Sequence, residues 1–140
     1  MRRLPLLLIA LASAAPAAAA QDSTPRQMME EMGLAPSPRE LRRAVERARG
    51  EPLGSARNPV RVSGPGGEHA YINRLRCSDG RTPQVGQRHN AGIGAFGSIV
   101  DVYPLDCGEA APGQVDLVMD MYHDDHEETQ PPPGFTLEPS

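Results

Sequence analysis

The sequence predicts an α+β domain: short N-terminal helices, then a small antiparallel sheet of about four strands clipped by one disulfide. Three observations predict it. Two capped stretches of helical character lie within residues 21–54. Every aromatic residue (Tyr71, Phe96, Tyr103, Tyr122 and Phe135) lies beyond them, so the core must form from the second part of the chain. That second part alternates short apolar runs with Gly/Pro-rich turns and holds both cysteines, Cys77 and Cys107.

The chain opens "MRRLPLLLIALASAAPAAAAQD". A positive Arg2-Arg3 start, a short apolar run and an Ala18-Ala19-Ala20 site form the layout of a cleaved secretory signal over residues 1–20. The apolar run is too short to span a bilayer, so no transmembrane anchor is expected after cleavage. In an exported protein two cysteines have a single intramolecular pairing, and Cys77–Cys107 is the expected disulfide.

Next, "TPRQMMEEMG" starts with Thr24 as N-cap and Pro25 at the first helical position, and Gly33 stops it. Met28, Met29 and Met32 make a sticky helix face, of a residue type that can also ligate soft metals. In "SPRELRRAVERARG", Ser37 and Glu40 form a capping box, and Gly50 ends the helix. Leu41, Ala44, Val45 and Ala48 make one narrow apolar stripe, while Arg39, Arg42, Arg43, Arg47 and Arg49 cover the other faces. The stripe is too small, and too poor in large aromatics, for membrane insertion; it suits docking on the helix's own domain or on a partner.

"GEPLGSARNP" reads as a linker. Strands are expected at residues 60–62, 70–77, 98–103 and 115–122, within a domain covering 55–126. In the last of them Val115, Leu117, Met119 and Met121 alternate with the intervening positions, the period of a strand with one buried face. Pro104 cannot donate to a ladder and is expected at a strand end or edge. Residues 127–140 form an acidic, Pro-rich tail.

All 14 basic residues are arginine, and the formal net charge is −4. Residues 36–88 carry eleven arginines against five acids, whereas residues 89–140 carry ten acids and no arginine. The two halves are expected to attract each other within one fold. Nucleic-acid binding is disfavoured, because the chain is acidic and its basic stretch lacks interleaved aromatics.

"AGIGAFGS" places Gly92, Gly94 and Gly97 in G-x-G-x-x-G register. A dinucleotide loop needs a buried strand before it and a helix after it; here a polar run precedes and a strand-like run follows. The expectation is a tight turn with Phe96 pinning it to the sheet, and no cofactor is assigned. "DMYHDDHEE" is the richest polar cluster. Its Asp120, His123, Asp124 and His126 are of types that bind zinc, copper or nickel, and weak divalent-metal binding is the one cofactor reading it leaves open. No H-E-x-x-H motif and no G-x-S-x-G elbow is present, and the carboxylates lack an aromatic-lined cleft. The sequence therefore favours a binding protein over an enzyme and names no catalytic residue.

"NPVRV", "AYINRLRCSDG", "GAFGSIVDVYPLDCG" and "MDMYH" followed by "PPPGF" resemble a set of small exported proteobacterial proteins of unknown function. The resemblance spans about residues 58–135 and implies export and a self-contained domain holding both cysteines; it transfers no activity. Together these readings describe an exported protein, in the periplasm or outside a Gram-negative cell. Its expected role is a non-enzymatic binding module for another macromolecule or a small ligand. The contact candidates are the arginine-rich helix (37–50) and the acidic run 120–128. The alternative is divalent-metal binding or metal-dependent hydrolysis at His123 and His126.

Overall fold

A computed structural model describes residues 23–140, so the expected signal at 1–20 lies outside the described residues. The two expected helices form as α1 (Pro25–Glu31) and α2 (Pro38–Ala48). Each opens with a full capping box. Thr24 Oγ1 accepts from Gln27 N–H, Ser37 Oγ accepts from Glu40 N–H, and the third residue of each helix reaches back to its cap.

The remaining elements are β1 (Val60–Arg61), α3 (Gly64–Arg74), β2 (Leu75–Arg76), β3 (Gln84–Val85), β4 (His89–Ile93), β5 (Ile99–Asp106), β6 (Gln114–Asp120) and β7 (Thr136–Leu137). The fold is α+β, and the Cys77–Cys107 disulfide is present. In the main sheet β1, β6 and β5 lie side by side, and β3 and β4 share the far edge of β5. The sheet is mixed, because β1 runs parallel to β6 while β5 pairs antiparallel with β6, β3 and β4. A second, two-stranded sheet joins β2 to β7.

The strand expected over 70–77 is instead mostly α3. Glu68, Tyr71, Ile72 and Leu75 are all buried, and they fall at i, i+3, i+4 and i+7, a helical face laid on the sheet. Pro65 in the first turn tolerates its missing N–H there, so "GPGG" starts a helix where it reads as a turn. Only Leu75–Arg76 remains extended.

Under α3 lies the main core. Val115, Leu117 and Met119 of β6 and Met121 just beyond it, the alternating set, all join it, together with Val60, Tyr103, Leu105, Phe135 and both half-cystines. Pro104 sits inside β5 rather than at its end. Its carbonyl accepts from Gly86 N–H at 2.7 Å, on the side where β3 has finished and β4 has not begun. Its missing N–H therefore leaves no ladder bond unmade.

The glycine run is part strand and part turn. "HNAGI" is the exposed strand β4, and the chain then reverses through Gly94 to Gly97. Gly97 has φ +87°, a conformation open to glycine. Gly94 is required for space, since a Cβ there would fall 2.2 Å from Val100 Cγ1. Phe96 is buried, with Arg61 of β1 over its ring, but its apolar seat is not the sheet. It seats on Ala44 and Ala48 of α2, flanked by Leu41 and Val45. The small alanines let the ring approach the helix, so the glycine turn becomes the socket for α2.

Candidate functional site

The chain leaving β6 forms a strap over residues 120–128. Asp120 is fully buried, accepts from Ser98 Oγ at 2.5 Å and also accepts from Tyr122 N–H at 3.1 Å. His123 is buried with its ring edge-on to Phe96, the centroids 5.6 Å apart. Its Nε2 lies 3.2 Å from Asp120 Oδ2 without hydrogen-bond geometry. The structure thus brings Asp120 and His123 together. Asp124 is turned to the start of α1, where it accepts from Thr24 Oγ1 at 2.6 Å. His126 faces Glu128 at 3.3 Å, in a hollow of about 630 Å³ beside α3 that Asp124 also lines. Among the described residues no three His, Cys, Asp or Glu side chains converge as a metal-ligand set.

Ser98, Asp120 and His123 are the residue types of a hydrolytic triad, but their order differs. The carboxylate stands between the other two, Ser98 donates to Asp120 rather than to the imidazole, and all three are buried. The arrangement locks the start of β5 to the end of β6. Glu128 is held differently: burial would raise its pKa, but bonds from His126 and from the Gln130 and Thr129 N–H groups bring it below the ordinary range.

Between the strap, α1 and α2 lies a second hollow of about 540 Å³, with Arg26, Arg42 and Arg61 among its walls. The Arg61 guanidinium stands 5.8 Å above the Phe96 ring. Beyond this hollow, α2 presents its basic face. Arg39, Arg42, Arg43, Arg47 and Arg49 are exposed. Arg49 pairs with Glu46 at 3.1 Å, and among the described residues the other four form no ion pair. Elsewhere the basic and acidic halves do meet, through Arg74–Glu127, Arg76–Glu138 and Arg88–Asp101.

One polar cluster was not anticipated from sequence. Glu68, on the sheet-facing side of α3, is fully buried and accepts from Tyr103 Oη–H at 2.8 Å. Arg88 Nη1 covers it, 3.7 Å from Glu68 Oε2 and 3.1 Å from Asp101 Oδ2, while Glu68 Oε1 has no partner. Burial pushes the Glu68 pKa up to about 7, with Asp101 adding to the rise and Tyr103 and Arg88 opposing it. Burial and the Glu68 bond push Tyr103 up to about 12. The available signal was a carboxylate in helical phase with Tyr71, Ile72 and Leu75, legible only once that segment is read as a helix.

Glu68 therefore makes stability pH-dependent. Its folded-state pKa is raised above the ordinary 4.5, so its contribution is complete below that value and is lost as pH rises through about 7. The loss is on the order of 3 kcal/mol, the free-energy equivalent of such a shift. Glu68→Gln is expected to flatten this fall. Urea midpoints from about pH 5 to 8 check it, and parallel slopes for both proteins would remove Glu68 as the cause.

A third feature is apolar. Met28, Met29, Met32 and Leu34, from α1 and the turn after it, face Ile93, Ile99, Met121 and Tyr122 across a groove of about 390 Å³. Met28, Met32, Leu34 and Ile93 are exposed. Among the described residues no helix is long and apolar enough to cross a membrane. No family model, curated protein or solved structure matches this chain.

Proposed function

We propose that the protein is an exported, non-enzymatic binding module of the periplasm or the medium, and that α2 carries the contact to an acidic partner protein. One observation supports this most. The apolar stripe of α2 is spent on Phe96, which fixes the helix to its own domain, while Arg39, Arg42, Arg43 and Arg47 are exposed and form no ion pair among the described residues. A rigidly mounted row of guanidinium groups suits bidentate recognition of carboxylates. It also raises association rates with an acidic surface.

The test is crosslinking in envelope extracts with the wild-type protein and with Arg39→Gln/Arg42→Gln/Arg43→Gln/Arg47→Gln. The substituted positions are exposed, so the fold is expected to persist, which circular dichroism verifies. The wild type should capture an acidic protein in a manner that survives chelator and weakens with salt, and the variant should lose it. Equal capture by both proteins, or capture that needs added metal, would overturn the reading.

A further inference from the structure

We propose that the methionine groove is a binding site for a soft monovalent cation of the Cu(I) or Ag(I) class, held by thioether sulfurs of Met28, Met32 and Met121. Four of the six methionines in the chain line this groove: Met28 and Met29 from α1, Met32 at its C-cap, and Met121 from just beyond β6. Met28 and Met32 stand one helical turn apart on a common face and are 51% and 62% exposed, so core packing does not account for their side chains. Met121 lies far along the chain, and the fold delivers it to the facing wall of the same groove.

Donor chemistry selects the class of ion. Thioethers are soft, neutral ligands that favour Cu(I) over hard cations. No carboxylate or imidazole lines the groove, so nothing there offsets the second charge of a divalent ion. Thioethers also bind no proton, so the site persists at acidic pH, where imidazole ligands fail. Thiolates do not compete, because both cysteines are in the disulfide. Methionine has three rotatable bonds, which lets sulfurs on opposite walls adapt to one ion. This site is independent of the arginine face.

The experiment titrates silver nitrate into the disulfide-intact protein carrying ¹³C-methyl methionine. One Ag(I) per chain is expected by native mass spectrometry, with the Met28, Met32 and Met121 methyl signals shifting together. Met119, fully buried in the main core, is the internal control and should not move. Met28→Leu/Met32→Leu/Met121→Leu keeps the groove apolar and nearly isosteric while removing three sulfurs. It should weaken Ag(I) binding by about tenfold or more, given the preference of soft ions for thioether donors. Met32→Leu alone, at an exposed position, gives the same direction if the triple variant folds poorly. Absence of the methyl shifts, shifts shared by Met119, or undiminished Ag(I) binding by the leucine variants would overturn the proposal.

Discussion

Phe96→Ala is expected to remove about 3–5 kcal/mol of stability, the usual cost of truncating a buried phenylalanine. The ring is the only aromatic group in the cluster that seats Ala44 and Ala48, and it also meets the edge of His123. Its loss leaves α2 with Leu41 and Val45 at the rim of a void, and a helix of 11 residues does not hold itself in water. Damage should therefore be uneven. Amides of α2 should lose exchange protection to a far greater extent than those of β5 and β6, whose ladder does not include Phe96. Urea denaturation gives the total, and residue-resolved hydrogen exchange gives the distribution. Uniform loss of protection would refute the view that Phe96 is the local anchor of α2. The same variant bears on function, since the arginine row depends on this seat for its rigidity.

Removing the disulfide should cost a comparable amount. Cys77 and Cys107 are 30 residues apart, and chain entropy assigns a closure of that length about 3.5 kcal/mol. Both half-cystines lie in the main core. Cys77→Ala with Cys107→Ala is the appropriate pair, because alanine leaves no buried hydroxyl to satisfy. Two-state urea curves for the variant and the wild type give the difference. A loss below about 1 kcal/mol would mean that the released loop gains little freedom, contrary to the chain-entropy account. Alkylation and intact mass provide the simpler check: the native protein should show no free thiol.

Local chemistry explains which parts of this fold were legible in the sequence. Thr24 with Gln27 and Ser37 with Glu40 announce α1 and α2, because a capping box is written in four consecutive residues. Val115, Leu117, Met119 and Met121 announce β6 by alternation. By contrast, β4 is built from "HNAGI", exposed throughout, with no β-branched residue before Ile93; its partner β5 makes it a strand. The 70–77 run misleads because a short apolar stretch suits either period, and Glu68, whose position would settle the phase, is a polar residue in a core slot. The strap shows the same limit. The sequence places Asp120, His123, Asp124 and His126 within seven residues, yet only the fold shows that the first two turn inward while Asp124 bonds to Thr24 and His126 to Glu128. The methionine groove joins residues some ninety positions apart, a distance no local pattern spans.

Thr24 bonds to Asp124 at the start of α1, and Ser140 donates to Glu127 at 2.7 Å, so both described ends of the chain reach the same strap. The strap is thereby a clasp, holding the start of α1 and the C-terminal residues at one place on the fold.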